Sequence, residues 1–177
     1  SFSVLLLAVL CACTIPIETN PDTFNLEPGA LTHLAPAKSV ALENAYKTEA
    51  PQNLPMGQHT WVLEQKKMTD TAIAMLRRAL DKQGLTAGPP AAKTVTLKVH
   101  SPSATMQVYP GFANTFARIT LDAEFADGAR VSIFAENRSP AGAQRAFDGA
   151  ILFALNKLLA DEKARVSEAL FAELKDL

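Results

Sequence analysis

Residues 117–136, ARITLDAEFADGARVSIFAE, decide the fold. In the first half, Ile119, Leu121 and Phe125 alternate with other side chains, which is the period of a strand with one buried face. Asp127 and the glycine after it favour a two-residue hairpin turn, because both residue types accept the backbone angles of such a turn. The segment therefore predicts an antiparallel hairpin whose apolar face needs a cover.

The neighbouring segments supply more strands and the cover. Residues 94–100 (TVTLKVH) alternate strictly, and residues 38–46 (KSVALENAY) favour a first strand. Residues 61–83 predict a helix, and a second helix is expected to begin after Ser139, as its N-cap, and Pro140. Each helix carries one apolar stripe. The stripes are Met68, Ala72, Met75, Leu76, Ala79 and Leu80 in the first helix, and Phe147, Ile151, Ala154, Leu155, Leu158 and Leu159 in the second.

The order strand, helix, strand, strand, strand, helix predicts an α+β fold. We expect a mixed, mainly antiparallel four-stranded sheet covered on one face by two helices. The crossover through the first helix makes the two strands that it joins parallel. The last helical residues either continue to the end of the chain or break near Ala160 and Asp161. Residues 38–177 are expected to form a single domain.

The N-terminal residues predict export from the cytoplasm and attachment to a membrane. Residues 2–10 (FSVLLLAVL) are apolar and uncharged, too short to span a bilayer but typical of the core of a secretory signal. Leu10-Cys11-Ala12-Cys13 then resembles the bacterial lipobox, with Cys13 as the acylated residue. Two alternatives are acylation of Cys11, which would put a bulky leucine at the cleavage point, and a plain signal whose cysteines are merely small apolar residues.

This resemblance implies three segments. Residues 1–12 would be a signal peptide that lacks its start, residues 13–37 a lipidated Cys with a Pro-rich tether, and the domain would follow. By resemblance to lipoprotein sorting, Thr14 in place of aspartate implies the outer membrane, with the domain facing the periplasm. Cleavage would leave Cys13 as the one cysteine, so no disulfide is expected.

Charge and motif content exclude several functions. The chain has 17 basic and 18 acidic residues among 177, a net charge of −1, so no strong field attracts nucleic acid. His33, His59 and His100 have no partners at metal-ligand spacing, and we expect neither a metal nor a cofactor.

Catalysis is not expected either. Ser101 and Ser103 follow His100, but adjacent strand positions point to opposite faces, which argues against a triad. Asp122 and Glu124 share a strand face, and their proximity is explained by a polar, exposed surface. These residues are the only ones that a hydrolase of envelope polymers, the least favoured function, would have available.

One segment stands out as a candidate binding surface. Residues 106–116 (MQVYPGFANTF) place Tyr109, Phe112 and Phe116 around Pro110 and its glycine in a predicted loop. Aromatic side chains are common interface anchors, so these three are the candidate partner-binding residues. The alternative is that the rings fold back and plug one end of the core.

The order of elements resembles small Gram-negative lipoproteins of the YajG type and, more distantly, the lipopolysaccharide-assembly lipoproteins. The similar stretch is residues 61–159, with the helix ending LRRALDKQG, the strand TVTLKVH, the hairpin described above and the helix AFDGAILFALNKLL. The Gly-Trp-containing start of the assembly lipoproteins is absent, since Thr14-Ile15-Pro16 follow Cys13. The resemblance implies a membrane-anchored accessory protein that docks on an envelope-biogenesis or transport assembly; the alternative is a carrier or sensor of a lipid or glycan.

Overall fold

The computed structural model describes residues 14–26, 40–57, 59–82, 93–124, 128 and 130–159. Cys13, the signal residues before it and residues 160–177 lie outside this part of the chain, as do Phe125 and Asp127. The described chain forms two sheets and two helices. In chain order the elements are β1 (Thr14–Ile17), β2 (Val40–Asn44), β3 (Pro51–Met56), β4 (His59–Glu64), α1 (Gln65–Lys82), β5 (Lys93–Tyr109), β6 (Phe112–Glu124), β7 (Arg130–Ser139) and α2 (Ala143–Leu159).

The larger sheet confirms the α+β fold class and the predicted strand pairing. Its order is β2-β5-β6-β7, with β2 parallel to β5 and the other neighbours antiparallel. Val95, Leu97 and Val99 of β5 are fully buried, as the alternating pattern predicts. Ile119 and Leu121 of β6 face the same side and are also buried.

Both helices cover that apolar face. α1 packs on β2 and β5, α2 packs on β6 and β7, and the two helices touch each other. Every residue of the two predicted stripes is buried. The prediction placed the start of α1 four residues too early, because residues 61–64 belong to β4, where their backbone groups pair with β3.

A second sheet, of order β1-β4-β3, was not predicted from the sequence. Its strands contain prolines, which the sequence analysis took as signs of irregular chain: Pro16 lies in β1, and Pro51 and Pro55 lie in β3. Proline removes a backbone donor, so it is tolerated mainly in edge strands, and both of these strands are edges. The sheet nevertheless adds to the core, because Ile17, Leu54 and Leu63 are buried.

The tether prediction is wrong for residues 14–26, while residues 27–37 lie outside the described chain. After β1 the chain is hydrogen-bonded to Arg78 of α1 and to Asp148 of α2. Arg78 donates to the Pro21 carbonyl at 3.1 Å and forms an ion pair with Asp22 at 2.9 Å. Leu26 is buried in the core. Residues 14–26 are therefore part of the domain, which was predicted to begin near residue 38.

The start of α2 also differs from the prediction. Ser139 is the last residue of β7, and its Oγ accepts the Ala141 N–H at 3.1 Å, so it caps a turn rather than the helix. The helix begins at Ala143, and the Gly142 carbonyl accepts its first intrahelical bond, from Ala146. Gly142 has a φ of +96°, a backbone angle that separates strand from helix and that favours glycine.

Candidate functional site

The aromatic segment is not a loop but the end of a long hairpin. β5 and β6 pair up to Tyr109 and Phe112, which lie opposite each other. Pro110 and Gly111 form the turn, and Gly111 has a φ of +89°, the pattern of a type II turn. The neighbouring strand β7 ends opposite Thr115, so the hairpin extends beyond the rest of the sheet. We call residues 106–112 the hairpin tip.

The hairpin tip exposes apolar side chains. Val108 is 76% exposed, Phe112 53%, Tyr109 42% and Met106 37%. The Tyr109 and Phe112 rings stack on each other with centroids 4.8 Å apart and planes 16° from parallel. These two rings therefore do not plug the core, and the alternative interpretation of the aromatic segment is wrong for them.

Phe116 has a different environment from the other two aromatics. It is half-buried and lies opposite Arg138 of β7. The Arg138 guanidinium stands over the Phe116 ring, 5.6 Å from its centroid. The structure thus brings Tyr109 and Phe112 together at the turn and holds Phe116 behind them. Whether the three bind a partner stays a prediction.

The hairpin tip is also free of charge. No Asp, Glu, Lys or Arg occurs between Ser103 and Ala117. Farther from the turn, the face of the larger sheet that lies opposite the helices carries ion pairs, including Arg118 with Glu136 and Arg130 with Glu124. The outer face of the sheet therefore changes from charged to uncharged along β5 and β6, in the direction of the turn.

A polar cluster lies farther down this outer face, and the expectation that His100 and Ser101 point to opposite faces of the strand is wrong. A β-bulge places Ser101 and Pro102 opposite a single residue of β6, with Ser101 at a φ of +51°. A bulge breaks the alternation of side chains. As a result the Ser101 Oγ lies 2.9 Å from the His100 Nδ1, although the two residues are adjacent in the chain.

Asp122 completes this cluster. Its Oδ2 lies 2.8 Å from the His100 Nε2, as an ion-pair contact that lacks the alignment of a hydrogen bond. Its Oδ1 accepts a bond from the Ser132 hydroxyl at 2.5 Å. Glu124 pairs instead with Arg130 at 3.0 Å, so the two carboxylates predicted to share a face have separate partners.

An open cavity of about 450 Å³ adjoins the polar cluster. Its lining carries charges of both signs and includes Thr96, Lys98, Asp122, Glu124, Arg130 and Ser132. Burial raises the pKa of the nearby Tyr46 phenol above 10.0, and the Asp122 charge adds to the rise. Among the described residues, core side chains such as Leu97, Leu121 and Phe147 are buried between the larger sheet and the helices.

Within residues 14–159, apart from the stretches left undescribed, no group of three or more His, Cys, Asp or Glu is placed to hold a metal ion. Neither α1 nor α2 is long and apolar enough to cross a membrane, and these are the helices of the described chain. His59 begins β4 rather than lying in a loop, and His33 is not among the described residues.

Sequence reasoning missed one structurally important carboxylate, Asp148 of α2. It is fully buried, and its two oxygens accept the Asn20 N–H at 2.9 Å and the Thr23 hydroxyl at 2.6 Å. Burial raises its pKa above 3.8, while bonds from Thr23, Asn20 and Gln144 and the charge of Arg145 oppose the rise. The available signal was a lone acidic residue among the apolar positions of α2.

Comparisons with known proteins identify little. No protein-family model matches the chain, and no curated protein matches it. Among solved structures, the chain is similar to the crystal structure of protein XCC0632 from Xanthomonas campestris, of family DUF330. The two share 10% sequence identity with a TM-score of 0.45, over 91% of this chain and 96% of that chain. The function of the chain is therefore argued from its own residues.

Proposed function

We propose that this chain is a lipid-anchored accessory or binding protein of the cell envelope, held at the periplasm-facing surface of the outer membrane by acylated Cys13. The apolar run and the lipobox-like residues before Thr14 support the anchor. An acyl chain contributes about 0.8 kcal/mol per buried CH₂, so several chains on one cysteine hold a protein firmly. In this role the chain docks on an envelope-biogenesis or transport assembly.

One observation carries the binding role: the hairpin tip is apolar, exposed and uncharged. A contiguous exposed apolar patch on a small protein marks a surface that something else covers. Tyr109 and Phe112 already stack on each other, so their rings lose little conformational freedom when they are covered. We propose that the hairpin tip is the surface through which the anchored domain contacts another component of the envelope.

The anchor is tested by metabolic labelling with an alkyne-bearing fatty acid. We expect label on the wild-type chain and on Cys11→Ser, and no label on Cys13→Ser. The pair is well matched, because both variants remove one cysteine of the same short segment. Label that depends on Cys11 would move the anchor, and wild-type protein without label would refute the proposal.

The contact surface is tested by photo-cross-linking in living cells. A photoreactive residue at Val108 is compared with one at Ser132, which is exposed on the same sheet but remote from the turn. We expect adducts from position 108, to lipid or to protein, that disappear in Cys13→Ala, in which the chain is no longer anchored. Equal adducts from both positions would show that the hairpin tip has no particular role.

A serine hydrolase is a second candidate, favoured by the contacts among Ser101, His100 and Asp122. In that chemistry the Ser101 Oγ attacks an acyl carbonyl while His100 accepts its proton and Asp122 stabilises the protonated ring. The ring gives the proton to the alcohol or amine that leaves, and water then hydrolyses the acyl-serine and frees Ser101. A fluorophosphonate probe tests it directly: labelling that is lost in Ser101→Ala and kept in Ser103→Ala would support a nucleophile. Absence of labelling in folded wild-type protein would leave the cluster a structural one.

A further inference from the structure

The end of the domain that carries the N-terminus can be located from contacts along α1. Gln65, the first residue of α1, donates to Gln52 at 3.3 Å, and Gln52 donates to the Pro102 carbonyl at 3.0 Å. One turn later, the Thr69 hydroxyl accepts the Val99 N–H at 2.9 Å. The helix therefore runs opposite to β5: α1 leads away from the hairpin tip, whereas β5 leads toward it.

The N-terminal segment runs in the same direction as α1. β1 is parallel to β4, which enters α1 without an intervening residue. Beyond β1, Thr19 bonds to Thr71 at 2.8 Å, and Pro21 accepts a bond from Arg78, farther along the helix. Residues 19–21 therefore lead away from the hairpin tip, and Thr14 precedes them in the chain.

A cavity at the start of α2 shows which other elements lie near β1. Pro16 and Trp61 line it together with Ala143, just after the end of β7. The last residue of β7 lies opposite Thr115, which pairs with Met106. The cavity therefore lies near the end of β7, from which β5 and β6 continue toward the turn, and Thr14 is two residues before Pro16 in β1.

Thr14 and the hairpin tip thus lie toward the same end of the domain. Cys13 is the next residue in the chain, and one residue spans at most about 3.8 Å, so a lipid on Cys13 would bring this end to the membrane without a tether. The exposed side chains of the hairpin tip are apolar or aromatic except for Gln107, whose oxygen accepts a bond from the Tyr109 hydroxyl. Tyrosine and tryptophan are enriched at the lipid–water interface, where the ring is half-buried and the polar group meets water.

We infer that the hairpin tip seats in the lipid–water interface of the membrane that holds Cys13. The inference rests on the proposed lipid anchor and names the envelope component that the tip contacts: the lipid surface itself. The charge distribution fits this occupant, because Arg138 stands over Phe116 behind the uncharged tip, where a guanidinium meets lipid phosphates. A protein partner at the hairpin tip is the competing occupant.

The test places an environment-sensitive fluorophore on the hairpin tip of the full acylated chain. The chain has 2 cysteines, Cys11 and Cys13, and processing at Cys13 removes the first and blocks the second. Val108→Cys therefore supplies a single labelling site, and Ser132→Cys is the matched control. Both proteins are reconstituted into vesicles of phosphatidylethanolamine and phosphatidylglycerol that contain no other protein.

We expect a blue shift of the emission and quenching by spin-labelled lipid at position 108, and neither at position 132. Adding Phe112→Asp to Val108→Cys is expected to reduce the quenching while circular dichroism shows the same fold, because Phe112 is exposed. Equal signals at both positions would overturn the inference, as would a shift that occurs only when co-extracted envelope proteins are present.

The mass of the N-terminal peptide shows whether Cys13 is acylated. It therefore distinguishes failure of the membrane contact at the hairpin tip from failure of the proposed lipid anchor. An acylated Cys13 with no signal at position 108 refutes the seating of the hairpin tip and leaves the anchor intact. A Cys13 without acyl chains refutes the anchor, and the inference falls with it.

Discussion

Asp148 is the residue whose replacement best tests how the N-terminal segment is held. In Asp148→Ala, the Asn20 N–H and the Thr23 hydroxyl lose their acceptors, and a small cavity opens in α2. Each lost bond with a buried partner costs about 1–3 kcal/mol. Because Asn20 is exposed and water replaces part of its bond, we expect a total loss of about 2–4 kcal/mol in the free energy of unfolding.

Asp148→Asn is the matched control. Its amide oxygen accepts the Asn20 N–H, and its NH₂ donates to the Thr23 oxygen after the hydroxyl rotates. We therefore expect a loss of less than about 1 kcal/mol relative to wild type at neutral pH. A loss as large as that of the alanine variant would refute this account of the two bonds.

The two variants also separate the effect of pH. Burial raises the pKa of Asp148 above 3.8, so the folded chain holds this proton more tightly than the unfolded chain. The stability that this group contributes is fully present below 3.8 and is lost as the pH rises through the raised folded pKa. Relative to Asp148→Asn, wild type should therefore lose stability across that window and change no further above it.

Urea unfolding followed by circular dichroism measures all three proteins. A Cys13→Ser background excludes acylation at that position and alters none of the described residues. Other carboxylates also titrate on acidification, so the quantity to follow is the difference between wild type and Asp148→Asn. A difference that is constant with pH, or that grows in favour of wild type as pH rises, would refute the reasoning.

Three further substitutions test the packing. A Cβ on Gly149 would clash with the Asn137 amide, which donates to the Ala146 carbonyl. Gly149→Ala should therefore reduce the free energy of unfolding by about 1–3 kcal/mol, measured by urea unfolding. Adding Asn137→Ala to the same chain should restore part of that loss. Ile17 is 5% exposed, so Ile17→Ala should cost about 2–4 kcal/mol, whereas a value near zero would mean that β1 is not part of the core. Val108→Ser should change stability by less than about 0.5 kcal/mol, because this side chain is exposed; a thermal melt that shifts markedly would contradict the exposure of the hairpin tip.

Local patterns were sufficient wherever one element presents one face to the core. The alternation in β5 and β6 and the stripes of α1 and α2 predicted which residues are buried, because a strand or helix repeats its inward positions at a fixed period. The parallel pairing of β2 with β5 also followed from the order of elements. These features need only the sequence of each segment and the requirement that apolar faces be covered.

The candidate site could be predicted only in part. Three aromatics near a Pro-Gly pair marked the segment, but their exposure depends on where β7 ends, and that is opposite Thr115. The contact of Ser101 with His100 depends on a bulge, which interrupts the regular alternation that the sequence argument assumed. Pairing between strands decides both points, and neither is encoded in a single segment.

The sequence by itself determined the fold class, the four-stranded sheet and the two covering helices. Only the tertiary structure decided that residues 14–26 belong to the domain. Their prolines indicated an extended tether, yet β1 lies at a sheet edge, where an unpaired backbone position carries no penalty, and Asp148 from the far end of the chain holds the turn that follows. A lone acidic residue in α2 signals that a buried partner exists, but the local sequence does not identify that partner, which lies about 125 residues earlier in the chain.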